Sequence, residues 1–248
     1  MKVVSERDIE GLRAIGQVVA RTLREMSRAI APGITTIELD RIGAAALKRQ
    51  GAVSAPRCVY RFPGDTCISV NEEAAHGIPG ERVLAPGDVV NIDVSAELEG
   101  YFGDTGATFV VPPDNALKRR LLATAEEALA MAMQAARAGA RLNGIGHAIE
   151  TTAENAGFTT LRDLGSHGVG RSLHEEPRFI PNYHDPVDKR RLQDGQVITI
   201  EPFVSTGSFG CRTAPDGWTL ISGPGNLSAQ FEHTLVIRAG EPLVMTLP

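Results

Sequence analysis

Two stretches near the start of the chain repeat apolar residues at every third or fourth position, which is the period of an amphipathic helix. The first stretch follows Ser5, and Asp8 stands three residues later as a capping partner. The second stretch opens at Thr35, has Glu38 at capping-box spacing and stops at Gly51. We therefore predict two helices whose apolar stripes face a core.

The apolar period changes to two between residues 52 and 113, and glycine, proline and aspartate interrupt it at short intervals. This alternation predicts antiparallel strands. Helical spacing returns over about 114–138 and 142–156, each ended by a glycine, and a second β region follows to the C terminus. The order of two helices followed by strands therefore occurs twice.

Parts of the two copies align with each other. The stretch Leu84–Asp93 matches Leu192–Glu201 at an offset of 108 residues (192 − 84), and each is a turn, an apolar strand and a closing acid. Such a repeat predicts an α+β protein with a curved antiparallel sheet that carries helices on its outer face. We interpret residues 1–248 as one domain of two related halves, about 1–113 and 114–248. Chance similarity is the alternative, because only a few positions match.

The composition is that of a compact globular chain, since 42% of the 248 residues are hydrophobic and 22% are charged. No apolar run approaches the roughly 18 residues of a membrane span, and the start turns polar at once, so we expect a cytoplasmic protein without a membrane partner. The net charge of -5 comes without long runs of one sign, which argues against nucleic acid as a partner. Three cysteines without a C-x-x-C pair argue against disulfides and a thiolate zinc site.

Four acidic residues fall where the β pattern can bring them together. Alternation of polar and apolar residues puts Asp93 on the polar face of its strand. The same alternation puts Glu201 and Glu232 on the polar faces of theirs. Asp104 follows eleven residues after Asp93, beyond a turn, so that it returns on a hairpin to face its neighbour. Singly, each acid is more simply a solvated residue or an ion-pair partner. Together they would repel strongly, and bound cations relieve that repulsion better than protonation does.

Two histidines, His167 and His174, lie seven residues apart in a glycine-rich segment that predicts neither a helix nor a regular strand. Alone, such a segment is as readily a plain surface loop as a functional one. Beside the four acids, His167 would supply a neutral imidazole to two divalent ions, and the charge balance favours a bridging water held as hydroxide. Three further histidines, His147, His184 and His233, are expected to have ordinary structural or surface roles.

Short motifs follow one another along the chain in this order: His76-Gly77-Ile78-Pro79, Asn91-Ile92-Asp93, Gly103-Asp104-Thr105, His167-Gly168-Val169-Gly170, Leu173-His174-Glu175-Glu176-Pro177, Thr199-Ile200-Glu201-Pro202 and Gln230-Phe231-Glu232-His233-Thr234. This ordered combination closely resembles type I methionine aminopeptidase, from the first helix to the last strand. The resemblance implies the pita-bread fold, a dinuclear metal centre and removal of the initiator methionine from nascent polypeptides.

The resemblance also implies a role for individual residues. Five of them would be the metal ligands: Asp93, Asp104, His167, Glu201 and Glu232. Asp93 and Glu232 would bridge the ions or bind bidentately, and Glu201 would also handle protons. His174 would reach the substrate carbonyl oxygen, and His76 would reach the scissile nitrogen. The apolar pocket for the methionine side chain would have these residues on its wall: Phe62, Cys67, Leu173 and Trp218.

An oxygen-rich ligand set with one imidazole suits manganese, iron or cobalt at least as well as zinc, so the expected cofactor is two divalent ions of these kinds. One ion would polarise the carbonyl, the hydroxide would attack it, and donors would stabilise the oxyanion. The chain departs from the family at Ser166, where glycine is usual. It also departs at the wall positions Val59 and Leu173, where many relatives have aromatic residues. These departures bear on pocket shape and on methionine stringency.

Two other functions fit parts of this pattern. Proline-directed peptidases of the same fold, such as prolidase and aminopeptidase P, usually carry a further N-terminal domain, whereas here the first half-repeat begins within the first few dozen residues. A metal-free binding module would show substitutions among the five ligands, and all five are intact. We expect a monomer that acts on peptides and nascent chains with N-terminal methionine. A ribosome contact stays open, because Arg212 is the only basic residue in the segment 207–225.

Overall fold

Residues 1–247, the part of the chain that this computed structural model describes, form four α-helices and fifteen strands. The helices are α1 (Glu6–Arg28), α2 (Thr36–Arg49), α3 (Ala116–Ala135) and α4 (Asn143–Asn155). The strands are β1 (Val53–Ser54), β2 (Cys67–Val70), β3 (Glu73–Ala75), β4 (Val89–Leu98), β5 (Tyr101–Val110), β6 (Thr159–Thr160), β7 (Gly165–Gly168), β8 (Glu175–Pro181), β9 (Val197–Ile200), β10 (Phe203–Ser205), β11 (Arg212–Thr213), β12 (Leu220–Ile221), β13 (Ser228–Gln230), β14 (His233–Val236) and β15 (Leu243–Val244). A π-helical turn, Pro56–Tyr60, connects β1 with β2.

Side-chain caps fix where the first two helices begin, as the sequence predicts. The Ser5 hydroxyl accepts a hydrogen bond from the backbone N–H of Asp8, and the Asp8 carboxylate accepts one from the N–H of Ser5. Thr35 and Glu38 form the same capping box at the start of α2. Helices α3 and α4 lie within the two later predicted stretches and are somewhat shorter than the apolar pattern suggested.

Two apolar cores lie between helices and strands, one built mainly from the first half and one from the second. Leu12 of α1 and Ile92 of β4 are fully buried in one cluster, and Leu121 of α3 and Ile198 of β9 are fully buried in the other. Burying such a side chain stabilises the folded state by about 1.5–3 kcal/mol relative to leaving it exposed. The helices therefore stay packed on the outer faces of the sheets.

The strands pair antiparallel in two main sheets. The first has the order β1-β4-β2, with β5 also paired to β4, and the second has the order β15-β14-β9-β7-β8. Of two smaller sheets, β13-β10-β6 belongs to the second half, whereas β11-β12-β3 joins β3 of the first half to two strands of the second. The predicted α+β class is confirmed.

Matching hydrogen bonds relate the two halves. The N–H of Gly33 donates to the carbonyl of Leu84 at 2.9 Å, and the N–H of Gly139 donates to the carbonyl of Leu192 at 2.8 Å. Both glycines have positive φ, 97° and 84°, a conformation that side chains with a Cβ rarely adopt. The aligned stretches of sequence therefore correspond to equivalent structural positions in two pseudo-symmetric halves.

The interpretation of the glycine-rich segment around His167 and His174 as irregular was wrong at both of its ends. Residues 165–168 form β7 and residues 175–181 form β8, which pair with a register shift between Ser166 and Gly168. Glycine, serine and proline are poor strand formers, and pairing with neighbouring strands outweighs that local preference here. Only the connection 169–174 is irregular.

Candidate metal centre

The hairpin of β4 and β5 presents two carboxylates on one face. Asp93 lies in the middle of β4, and Asp104 lies in β5 opposite Ser95, so the two acids are diagonal neighbours. We expected Asp104 to face Asp93 directly, but the register puts Gly106 there. The side chains of the two acids are nevertheless close enough to share a hydrogen bond.

Glu232 reaches this hairpin from an interruption between β13 and β14 rather than from within a continuous strand. Its backbone N–H donates to the carbonyl of Gly106 at 2.9 Å. A Cβ at Gly106 would lie 2.4 Å from the Oε1 atom of Gln230, so a larger residue would displace the Gln230 amide from this position. The amide of Gln230 donates to Oε2 of Glu232 at 3.1 Å and accepts from the Asn91 amide at 2.8 Å. This chain of hydrogen bonds fixes the orientation of the Glu232 carboxylate.

Glu201 and His167 arrive from the second sheet. Glu201 follows β9 directly, and its backbone N–H donates to the hydroxyl of Ser166 at 2.9 Å. The backbone N–H of His167 donates to the hydroxyl of Thr199 at 3.1 Å. The Nε2 atom of His167 lies 3.4 Å from Oε1 of Glu201 and 3.8 Å from Oδ2 of Asp104. The five predicted ligand residues therefore lie around one point between the halves.

The hydrogen bonding of His167 determines its tautomer. Its Nδ1 atom lies 2.9 Å from the carbonyl oxygen of Gly168, which can only accept, so Nδ1 carries the proton. Desolvation, assisted by the nearby His174, lowers the pKa of His167 to about 3. The ring is therefore neutral, with its Nε2 lone pair directed away from the Nδ1–H bond and available to a metal ion.

The acids are held together at considerable electrostatic cost. Burial raises the pKa of Asp93 to about 6, although its hydrogen bond with Asp104 opposes this shift. Burial is also the main reason that the pKa of Asp104 is raised, followed by the charges of Glu232 and Asp93. The pKa values of Glu201 and Glu232 are raised by burial first and by neighbouring carboxylates second. Protons or cations must neutralise part of this cluster.

Unpartnered oxygen atoms indicate that a cation fits the cluster. The Oδ1 atom of Asp104 and the Oε1 atom of Glu232 are buried and have no hydrogen-bond partner among the described residues. Ligand atoms of Asp104, His167 and Glu232 lie within 4.8 Å of one another. Buried oxygens of this kind are unfavourable unless they bind a proton or an ion. Carboxylate oxygens with one imidazole nitrogen are a suitable donor set for a divalent metal.

A cavity of about 380 Å³ opens beside the cluster. Four residues of the cluster line it: Asp93, Asp104, His167 and Glu201. The side chains that we expected on an apolar wall all line it: Phe62, Cys67, Leu173 and Trp218.

The side chains of the apolar wall pack against one another and are mostly buried. The rings of Phe62 and Trp218 meet edge to face with centroids 5.3 Å apart, and Phe62, Cys67 and Leu173 are almost completely buried. Val59, which we also expected on the wall, is exposed and does not line the cavity. Its place in the π-helical turn directs it to solvent, so its identity has no direct bearing on the pocket.

The two histidines expected to reach the substrate also line the cavity. His76 has a left-handed backbone with φ 55°, and desolvation lowers its pKa. The ring of His174 lies over that of His167 with centroids 4.0 Å apart. Desolvation, together with the charge of His76, lowers the pKa of His174 to about 4. Both rings are therefore neutral at pH 7 and carry one N–H donor each.

Three residues of the site were missed by the sequence analysis. Ser95 and Tyr60 line the cavity, and the Tyr60 hydroxyl lies 2.7 Å from Nδ1 of His174. Gln230 is part of one of the sequence motifs, but its hydrogen bond to Glu232 depends on the interruption between β13 and β14, which the alternation pattern did not indicate. For Tyr60 no periodic pattern gave a signal, because a π-helical turn has neither strand nor helix spacing.

The fold and this cluster define the chain as a metallopeptidase. Residues 10–239 match the model of metallopeptidase family M24. The chain belongs to this family and, within it, to the methionine aminopeptidases. It is 47% identical over 247 residues to "Methionine aminopeptidase 2" of Bacillus subtilis, covering 99% of each chain. It is 43% identical over 247 residues to "Methionine aminopeptidase" of Staphylococcus epidermidis, covering 99% of this chain and 98% of the relative.

Solved structures agree with this assignment. Methionine aminopeptidase from Thermotoga maritima superposes with a TM-score of 0.95 at 34% identity, covering 100% of both chains. The pita-bread fold and the metallo-aminopeptidase class that the sequence implied are thereby confirmed. Prolidase from Pyrococcus furiosus has a TM-score of 0.79 at 23% identity and is covered over 65% of its length, which shows a shared fold only. Within residues 1–247, no helix is both long and apolar enough to cross a bilayer.

Proposed function

We propose that this enzyme removes N-terminal methionine, including the initiator methionine of nascent polypeptides, by metal-dependent hydrolysis. The proposal depends mainly on one observation. A carboxylate cluster that needs protons or cations to neutralise it lies next to a cavity with an apolar wall. The names of the curated relatives at 43% and 47% identity support it. A metal-free binding module is disfavoured, because such a protein gains nothing from four buried acids with raised pKa values.

Five residues would hold two divalent ions, which we take to be manganese, iron, cobalt or zinc: Asp93, Asp104, His167, Glu201 and Glu232. When bound, the ions would polarise the substrate carbonyl and supply a hydroxide as the nucleophile. Asp93 and Glu232 would hold the ions from adjacent positions, since Asp93 lies on the hairpin opposite Gly106, to which Glu232 is hydrogen-bonded.

Glu201 would carry the proton that the reaction must move. Hydrolysis forms a C–O bond, breaks the C–N bond and transfers a proton from the attacking water to the leaving amine. The Glu201 carboxylate lines the cavity, and burial raises its pKa toward the range in which a carboxyl both accepts and donates protons. His76 would then donate to the scissile nitrogen from the same cavity.

His174 would donate a hydrogen bond to the substrate carbonyl oxygen. The ring lies on that of His167 and lines the cavity beside Glu201. A neutral imidazole has one N–H group, and a donor aimed at developing negative charge contributes more in the transition state than in the ground state. The methionine side chain would contact the apolar wall of the cavity, which has these residues: Phe62, Cys67, Leu173 and Trp218.

A peptide panel tests the proposal directly. Metal-loaded enzyme is offered Met-Ala-Ser, Met-Lys-Ser and Ala-Pro-Ser, and the released amino acid is measured. We expect free methionine from Met-Ala-Ser and no release of alanine from Ala-Pro-Ser. Faster cleavage of Ala-Pro-Ser would mean that the chain is a proline-directed peptidase on the same fold. Comparison of Met-Ala-Ser with Met-Lys-Ser gives the preference at the second residue.

We further propose that residues 1–248 act as one domain and as a monomer on nascent chains. Both pseudo-symmetric halves contribute acids to the cluster, so neither half alone has a complete site. Sedimentation of the purified protein tests the monomer. Cosedimentation with ribosomes that carry nascent chains tests the contact that the sequence left open.

A further inference from the structure

The ring of His174 is held by a contact that comes from the opposite half of the chain. The hydroxyl of Tyr60 lies 2.7 Å from Nδ1 of His174, and the two ring centroids are 5.6 Å apart. The His174 ring also packs against the ring of His167, at a centroid distance of 4.0 Å and an interplanar angle of 33°. Stacking of this kind is indifferent to a half-turn of the imidazole, whereas a hydrogen bond to Nδ1 permits only one of the two orientations.

The backbone that carries His174 is fixed independently of Tyr60. The carboxylate of Glu175 accepts a hydrogen bond from the backbone N–H of Ser172 at 2.7 Å. The guanidinium of Arg171 donates to the Asp8 carboxylate at 2.8 Å. The freedom that remains at His174 is therefore rotation of its ring and the choice of its tautomer, and these are what the Tyr60 hydroxyl contacts.

Tyr60 is itself in a defined position. It ends the π-helical turn, and Arg61 follows in a left-handed conformation with φ 60°. The next residue, Phe62, is buried and donates its backbone N–H to the carbonyl of Pro56 at 3.2 Å. Turns of this type recur at functional sites because they reorient single side chains. Here the reoriented side chain is the phenol that reaches the cavity.

The chemistry of the pair selects one tautomer. A phenol O–H is a better donor than a phenol oxygen is an acceptor, and an unprotonated imidazole nitrogen is a strong acceptor. Among the described residues, Nδ1 of His174 is the only hydrogen-bond partner of the Tyr60 hydroxyl. With Nδ1 accepting, the single proton of the neutral ring resides on Nε2. We propose that Tyr60 is a positioning residue that holds His174 in the Nε2–H form, with that N–H free to serve as a donor in the cavity.

This inference rests on the proposed role of His174, and a double-mutant cycle separates the two. Turnover of Met-Ala-Ser is measured for metal-loaded Tyr60→Phe, His174→Ala and the double variant. Tyr183→Phe is the matched control, because it removes a phenol hydroxyl outside the cavity. We expect His174→Ala to lower kcat by about two to three orders of magnitude. Tyr60→Phe should lower kcat by about tenfold with KM and metal content unchanged, as expected for loss of an orienting partner.

The decisive comparison is made in the His174→Ala background, where Tyr60→Phe should have no further effect. An equal loss of kcat in both backgrounds, or a raised KM with normal kcat, would mean that Tyr60 acts on the substrate and not through His174. Unchanged kcat in His174→Ala would overturn the proposed role of His174 itself. If His174→Ala loses kcat while Tyr60→Phe keeps it, only the positioning role fails.

A spectroscopic signature tests the tautomer without turnover. Long-range ¹H–¹⁵N spectra of the Zn²⁺-loaded protein distinguish protonated from unprotonated imidazole nitrogens. The expected spectrum shows His174 protonated at Nε2 alone, and Tyr60→Phe should shift it toward a mixture of both forms while Tyr183→Phe leaves it unchanged. A wild-type ring protonated at Nδ1, or an identical spectrum in Tyr60→Phe, would contradict the proposal.

Discussion

At the scale of single residues, the candidate ligands are oriented by hydrogen bonds from neighbours that bind no metal. The Ser166 hydroxyl accepts from the backbone of Glu201, and the Gln230 amide donates to the carboxylate of Glu232. Ser166, at which the sequence resemblance predicted a departure from the family, is completely buried. Its hydroxyl orients the backbone of a candidate ligand, and Ser166 does not line the cavity.

The first prediction separates Glu201 from a neighbouring acid of the same type. Glu201→Ala should abolish peptide hydrolysis and lower the bound metal per protein, because it removes a carboxylate from the centre of the cluster. Glu176→Ala is the control: Glu176 is exposed, and its ion-pair partner within residues 1–247 is the exposed Arg178, at 3.3 Å. It should keep both activity and metal. Metal analysis and turnover are measured on the same samples, and similar losses in both variants would mean that the ligands are misassigned.

At the scale of elements, the connection between β7 and β8 is tied to the first helix. The guanidinium of Arg171 contacts the Asp8 carboxylate and the Tyr101 hydroxyl, each at 2.8 Å, and lies over the Tyr101 ring at 3.7 Å. Asp8 is at the same time the capping-box partner of Ser5. One carboxylate therefore supports both the start of α1 and the segment that carries His174.

The second prediction concerns this carboxylate. Asp8→Ala should reduce the free energy of unfolding at pH 7 by about 1–2 kcal/mol through loss of the cap alone. Hydrogen bonds from the Val4 backbone first, and from Ser5, Tyr101 and Arg171, lower the pKa of Asp8 below 3.8. A lowered pKa contributes stability above the ordinary value, and this contribution disappears as the pH falls through the folded-state pKa.

Urea unfolding of wild type and Asp8→Ala at several pH values measures this effect. The difference between them should be largest near neutral pH and should shrink below about pH 4. Glu6→Ala is the control, since Glu6 lies in the same first turn but is exposed and is not the capping-box residue. A difference that is constant with pH would show that the charge of Asp8 contributes nothing.

At the scale of the whole molecule, the two halves form one charge cluster. Asp93 and Asp104 come from the first half, and Glu201, Glu232 and His167 come from the second. Burial and the repulsion between the carboxylates raise the pKa values of the acids. The folded metal-free protein therefore keeps protons on acids that would be ionised in the unfolded chain. The stability of the protein should therefore depend on metal and pH together.

The third prediction follows from the raised pKa values. Asp93 titrates at about 6 in the folded chain instead of 3.8, and the other three acids are shifted in the same direction. Each of these acids then binds more protons in the folded state than in the unfolded state above about pH 4, so their contribution to the stability of the metal-free protein falls as the pH rises. Bound metal neutralises the cluster, and we therefore expect it to raise the Tm by at least about 5 °C more at pH 7 than at pH 5. Metal-free protein at the same pH is the control, because it cancels the opposite contribution of the buried histidines, whose pKa values are lowered; a metal effect on Tm that is equal at both pH values, or smaller at pH 7, would contradict the electrostatic account.

The sequence predicted the elements better than their details. Capping residues located α1 and α2, and the motif around Asp93 identified a real strand, because both signals are local. The interruption between β13 and β14 at Glu232 and the strand at His167 were not predicted, because sheet pairing determines them and local preference does not. The contact between Tyr60 and His174 joins residues 114 positions apart, and no periodic pattern encodes it. The assignment of ligand roles stays a prediction.

The most direct measurement of the central claim is methionine release as a function of metal bound. Metal-free enzyme is titrated with Mn²⁺ or Co²⁺, and bound metal and the rate of methionine release from Met-Ala-Ser are determined at each point. We predict no release without metal, a rise as the site fills, and saturation at two ions per chain. Full release by rigorously metal-free enzyme, or no release with both ions bound, would contradict the proposed function.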